Sequence, residues 1–171
     1  HLAREGTVSL ELAERYGDDL LSAVEYLEEH QVMHRDIKPA NLGVGSVSKT
    51  RAHLTLFDFS LAASSRSDLK VGTAAYRDPF LDLRGSWDNA AERWSAAITL
   101  HEMLTGVRPI FEGVAIDADS KLVLAAERFD PSVRDSLVAF FERALARDTE
   151  QRFVSAEEMR RAWVTALAAP A

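Results

Sequence analysis

His34-Arg35-Asp36-Ile37-Lys38-Pro39-Ala40-Asn41, followed by Asp58-Phe59-Ser60, is the stretch on which the reading of this chain turns. It sets a carboxylate (Asp36), an ammonium (Lys38) and an amide (Asn41) close together on a segment that Pro39 stiffens. Asp58 then offers a second carboxylate from another part of the chain. Such a set can accept a proton, attract an anion and offer hard oxygen ligands to a metal ion. A loop Asp can instead cap a turn, and a Lys can face solvent, so the pattern gains its weight from the neighbours.

Working outward, apolar residues at Leu12, Ala13, Tyr16, Leu20, Val24 and Leu27 recur at three-and-four spacing, with Ser9 as a candidate N-cap, which predicts an amphipathic helix leading into the motif. After Asn41, Leu42 to Val44 and Leu54 to Phe57 flank a polar stretch containing Gly45, Ser46, Ser48 and Lys49, so we expect a small hairpin with Asn41 and Asp58 at its two ends. Ala63 to Gly72 is rich in serine and charge without a period and reads as a mobile surface loop. Ala90 to Leu104 is apolar around most of its circumference, which predicts a helix buried on nearly all sides and ended by Thr105-Gly106. Asp130-Pro131 is read as a cap and first helical position, with Val133, Leu137, Phe140, Phe141 and Leu145 facing inward. Ser155 and Glu158 suggest a capping box for a last helix bearing Met159, Trp163 and Leu167. Periodicity alone therefore gives a mostly helical domain with one small hairpin.

The chain has 171 residues, 47% of them hydrophobic, enough for one well-buried core and short for two domains. A net charge of −7 argues against binding nucleic acid or an anionic membrane through bulk electrostatics. With no cysteine, a disulfide framework and thiolate metal sites are excluded. No apolar run approaches the ~18 residues a membrane helix needs, and a cytoplasmic location is the expectation. His101-Glu102 superficially matches a zinc-protease pattern, but Thr105 stands where the second ligand belongs, so His101 is expected to be a packed residue.

The octapeptide resembles the catalytic loop of protein kinases, and Lys38, two positions after Asp36, resembles the serine/threonine branch. Val71-Gly72-Thr73-Ala74-Ala75-Tyr76-Arg77-Asp78-Pro79 is similar to the end of a kinase activation segment, Glu92-Arg93-Trp94-Ser95 to the start of the central helix, and Asp148 to Arg152 to the turn before the last helix. The resemblance runs from about Ser9 to Leu167. It implies a protein kinase-like C-terminal lobe, mainly α-helical with a small β-hairpin and part of a larger α+β fold, spanning 1–171 without the N-terminal lobe. It also implies ATP and Mg²⁺ as cofactors, and a protein with a Ser or Thr acceptor as partner. By the same resemblance Asp36 is the catalytic base, Lys38 approaches the transferred phosphoryl group, Asn41 and Asp58 hold the metal, and Thr73 shapes the acceptor site beside Asp36 and Lys38. His34 is then scaffold. Arg35 resembles the arginine that pairs with a phosphate on the activation segment, for which Ser64, Ser65, Ser67 and Thr73 are the available acceptors.

There are departures. The glycine-rich loop and strand lysine of kinases belong upstream of the helix at Leu10, and residues 1 to 8 cannot contain them, so the polypeptide alone is expected to bind nucleotide weakly and to have little activity. Ser60 replaces a glycine, which predicts lost freedom at positive φ. Phe80 replaces a glutamate that normally pairs with the arginine matching Arg152, so Arg152 should be exposed or should have recruited another carboxylate, Asp78 first. Glu92 replaces an aspartate that anchors the catalytic loop. Leu56 to Ala62, Tyr76 to Leu81 and Arg84 to Asp88 are similar to the PglW group of bacterial phage-defence kinases, which implies a multidomain parent. The alternatives are a pseudokinase scaffold and a small-molecule phosphotransferase of the aminoglycoside kinase kind.

Overall fold

In the computed structural model, residues 8–48, 51–112, 116 and 120–168 are described. Lys49 of the expected hairpin turn, and residues 1–7 of the N-terminal expectation, lie outside them. Helix α1 (Leu10–Glu29) opens with Ser9, whose side chain accepts the Leu12 N–H, and buries Ala13, Tyr16, Leu20, Leu21, Val24 and Leu27 on one face. The motif follows as an irregular loop and a 3₁₀ turn (Pro39–Asn41). Strands β1 (Leu42–Ser48) and β2 (Arg51–Leu56) then pair antiparallel, Leu42 opposite Leu56 and Val44 opposite Leu54. The hairpin lies against α1: Asp19 accepts the Leu54 N–H at 2.9 Å, and Arg15 donates to the Ala52 carbonyl at 3.0 Å.

Helix α2 (Asn89–Thr105) is capped by Asp88, buries nearly its whole surface and ends at Gly106, whose φ of 76° is the left-handed stop a glycine supplies. A second, two-residue ladder, β3 (Ile110–Phe111) with β4 (Leu122–Val123), was not legible in the sequence, being too short to show alternation. Helix α3 (Arg134–Ala144) begins four residues after Asp130, not at Pro131 as the cap signal suggested. Asp130 instead accepts from the Ser132 N–H and hydroxyl and closes a turn of its own. Helix α4 (Ala156–Leu167) is capped by Ser155, which accepts the Glu158 N–H. The Glu158 carboxylate reaches back to the N–H of Val154, one residue beyond the reciprocal bond of a capping box, and to Arg143.

One core joins the four helices, with Trp163, Phe141, Leu20, Leu100 and Leu137 all nearly solvent-free. Helices α1 and α2 therefore form a rigid base beneath the motif loop. Ala63 to Gly72, expected to be mobile, is tethered instead: Trp87 takes the Arg66 and Asp68 carbonyls through its backbone and indole N–H, and Arg35 takes the Ser65 carbonyl at 2.7 Å. Backbone carbonyls make these tethers, so the side-chain pattern of the loop carries no trace of them.

Candidate active site

The loop that carries Asp36 is held from below by α2. Glu92, in the first turn of α2 and 4% exposed, accepts the N–H of His34 at 2.8 Å and that of Arg35 at 2.9 Å, one on each carboxylate oxygen. The extra methylene relative to an aspartate is accommodated with both bonds made. Burial pushes the Glu92 carboxyl up to about 7 against the opposing pull of these two N–H groups and the Arg35 charge.

His34 is fully buried, accepts the Asp36 N–H at Nδ1 (3.2 Å) and donates from Nε2 to the Phe57 carbonyl (2.7 Å). Those bonds fix one neutral tautomer, and burial lowers its pKa. It is scaffold, joining the motif to the end of β2. Arg35 sits at φ 69°, a left-handed backbone that the sequence did not signal and that Glu92 helps to hold. Its guanidinium is buried, with Nη1 on Ser65 and Nε without a hydrogen-bond partner among the described residues.

Two chain segments, the motif loop and the stretch bearing Thr73, meet at the Asp36 carboxylate. Oδ1 accepts from the Thr73 hydroxyl at 2.6 Å and the Thr73 N–H at 3.1 Å; Oδ2 accepts from the Asn41 amide at 3.0 Å and lies 3.1 Å from Lys38 Nζ. Lys38 also donates to the Thr73 hydroxyl at 2.7 Å. Burial raises the Asp36 pKa, but hydrogen bonds from Thr73, Lys38 and Asn41 outweigh it and hold the carboxyl below its ordinary value. Asp36 is therefore ionised at neutral pH, fit to accept a hydrogen bond from an incoming hydroxyl. Gly72 makes the approach of Thr73 possible. At φ 83° any Cβ there would stand 2.1 Å from the Arg35 carbonyl oxygen.

Asn41 uses its Nδ2 on the Asp36 carbonyl (2.8 Å) and carboxylate, and among the described residues nothing donates to its Oδ1. The Phe57 N–H bonds the Asn41 carbonyl at 2.8 Å, which brings the next residue, Asp58, to the same end of the hairpin. Asp58 is exposed, at φ 62°, and takes the Ser60 N–H on Oδ1 at 3.2 Å; hydrogen bonds from Ser60 lower its pKa, while the nearby charge of Asp36 opposes this. The positive φ thus falls on Asp58, not on Ser60, and serine at that position carries none of the expected strain. A free amide oxygen and an exposed carboxylate are hard donors that suit Mg²⁺. Among the described residues no group of three or more His, Cys, Asp or Glu could hold an ion unaided. Such an ion would draw its remaining ligands from phosphate and water.

The sequence-named residues Asp36, Lys38, Asn41 and Thr73 are in direct contact, and Asp58 stands beside them. Arg152 has recruited Asp78 as expected, at 2.6 Å with both groups buried. The sequence reading missed Arg84, which donates to Asp78 at 2.7 Å and to Asp88 at 2.6 Å. The i,i+4 spacing of Arg84 and Asp88 was its only trace. Phe80 fills the glutamate position with an aromatic ring packed edge-on to Trp94 and Phe111. His101 is packed, bonded to the Val107 carbonyl and the Ala125 N–H.

The sequence profile of the protein kinase domain matches residues 1–164, and the chain belongs to that family. It is 43% identical over 171 residues to "Probable kinase PglW" of Streptomyces coelicolor, across 95% of this chain and 11% of that protein. It is 33% identical over 158 residues to the serine/threonine-protein kinase AtPK1/AtPK6 of Arabidopsis thaliana, across 90% of this chain and 33% of that protein. The kinase domain of Mycobacterium tuberculosis PknI superposes with a TM-score of 0.69 at 21% identity, covering 95% of this chain and 58% of that one. The fold is thus that of a kinase C-terminal lobe, and the chain spans between about a tenth and a third of these two sequence relatives.

Proposed function

We propose that this chain is the catalytic lobe of a serine/threonine protein kinase whose longer parent transfers the γ-phosphate of ATP to protein Ser or Thr. The observation that carries the reading is the convergence of Thr73, Lys38 and Asn41 on the single carboxylate of Asp36. Asp36 orients the acceptor hydroxyl and takes its proton, and Thr73 fixes the rotamer of Asp36. Lys38 offers its charge to the moving phosphoryl group, while Asn41 Oδ1 and the Asp58 carboxylate would hold Mg²⁺. Bound ATP with Mg²⁺ supplies the phosphoryl group and neutralises charge that builds on it.

The small share of the relatives that the chain spans supports the further reading that a nucleotide-binding lobe lies upstream in the parent and that residues 1–171 alone have little activity. Apolar side chains left open at Tyr26, Phe57 and Phe59, beside α1 and β2, suit the seat of that lobe. The likeness to PglW supports a role in bacterial phage defence, and no described helix is long and apolar enough to cross a membrane, which suits a cytoplasmic enzyme. Incubating the full-length protein with γ-labelled ATP, Mg²⁺ and protein substrate should yield phosphoserine or phosphothreonine. Label appearing only on a small molecule, or on nothing, would reject the reading.

A further inference from the structure

A cavity of about 330 Å³ opens beside the acceptor segment, with Ala74, the residue next to Thr73, on its wall. Lys70, Arg77, Asp78, Leu81 and Asp82 also line it. It is large enough for a side chain, and Ala74 on its wall directly follows Thr73, which touches the Asp36 carboxylate, so the cavity adjoins the segment that borders the proposed acceptor site.

The charge of its walls is uneven. Asp78 is saturated by Arg152 and Arg84, so its carboxylate is spent. Lys70 is exposed and, among the described residues, forms no ion pair; the Arg77 guanidinium makes a 3.5 Å bond to the Val71 carbonyl and, among the described residues, no ion pair. Against these two cations, Asp82, on the exposed side of a 3₁₀ turn, is the lining carboxylate that has no ion pair among the described residues. In a chain of net charge −7 the segment from Arg66 to Arg77 runs the other way, with Arg66, Lys70 and Arg77 against Asp68 alone. Unpaired cations at the wall of a polar, side-chain-sized cavity favour an anionic occupant.

We infer that this cavity selects protein substrates carrying an anionic side chain immediately beside the phosphoacceptor, with Lys70 and Arg77 as the specificity-determining residues. The inference rests on the kinase reading above and names the substrate class for it. A carboxylate and a phosphoserine share the required chemistry.

The test uses the full-length protein and peptides that differ only at the positions flanking the acceptor serine: Glu, phosphoserine, Gln or Lys. Turnover is followed with ATP and Mg²⁺, and equilibrium binding is followed separately with peptides whose acceptor is replaced by Ala. The Glu or phosphoserine peptide should bind about tenfold tighter than the Gln peptide, with the difference fading in high salt. The two anionic arms tell carboxylate from phosphate as the natural occupant. Lys70→Glu, and Lys70→Glu with Arg77→Glu, should turn the preference toward the Lys peptide; the single variant changes only an exposed side chain and guards against misfolding of the double. Charge-dependent binding without turnover would uphold the inference while the phosphotransfer reading fails. Equal binding of all four peptides, with or without turnover, would overturn it.

Discussion

Arg152 and Asp78 form a buried ion pair at 2.6 Å, their side chains 3% and 0% exposed, joining the turn before α4 to the end of the acceptor segment. Arg84 makes Asp78 a shared anion and carries the network on to Asp88, the cap of α2. The first turn of that helix bears Glu92, which grips the loop of Asp36. The acceptor segment and the catalytic loop are thus anchored to one end of one helix.

Removing Asp78 leaves two arginines without their carboxylate, one of them almost wholly buried. Asp78→Ala should destabilise the protein by about 3–5 kcal/mol in denaturant unfolding. A loss below about 1 kcal/mol would mean that the pair is replaceable by water.

Glu92 gives stability a pH dependence of defined sign. Burial raises its folded pKa from the ordinary 4.5 to about 7, so the folded state holds the proton more tightly than the unfolded chain. Its contribution is then fully present below the unfolded value and is lost as pH rises through about 7. His34 and His101, both lowered by burial, act in the opposite sense, so the comparison must be with Glu92→Gln. Relative to that variant the wild type should lose up to about 3 kcal/mol between pH 4.5 and 7. A stability difference that is flat with pH would show the carboxyl to be unperturbed.

Gly72→Ala forces a Cβ onto the Arg35 carbonyl and a side chain into left-handed backbone. The backbone term alone costs about 1–2 kcal/mol. We expect a lower unfolding midpoint together with loss of phosphotransfer, as Thr73 is pushed from Asp36. Unchanged kinetics would show that the contact is not needed.

Thr73→Ala removes the hydroxyl that bridges Asp36 and Lys38. Loosening an aligned carboxylate should lower kcat by about 10²-fold, with KM for ATP little changed. Thr73→Ser keeps the hydroxyl and should retain most activity. Equal loss in both variants would point to the methyl group rather than the bridge.

Much of this was legible in the sequence because the signals were local. Spacing gave α1 and α2, the Leu42 and Leu54 stretches gave the hairpin, and the octapeptide gave Asp36, Lys38 and Asn41 as neighbours on one turn. The resemblance, with Phe80 in the glutamate's place, left Arg152 either exposed or paired to another carboxylate, Asp78 first, and a buried guanidinium requires the second. What the sequence hid was backbone-mediated. Trp87 and Arg35 pin the Ala63 to Gly72 loop through main-chain carbonyls, and positive φ falls at Arg35, a residue type that gives no notice of it. The start of α3 was misjudged because Asp130 followed by Pro131 serves a turn as well as a helix.

The central claim is that Asp36 serves the acceptor hydroxyl in phosphoryl transfer, and Asp36→Asn in the full-length protein tests it most directly. Asn keeps the shape but loses the charge, so the account predicts a normal unfolding midpoint with kcat for peptide phosphorylation reduced by about 10²–10⁴-fold. Near-wild-type phosphotransfer by that variant would contradict the account.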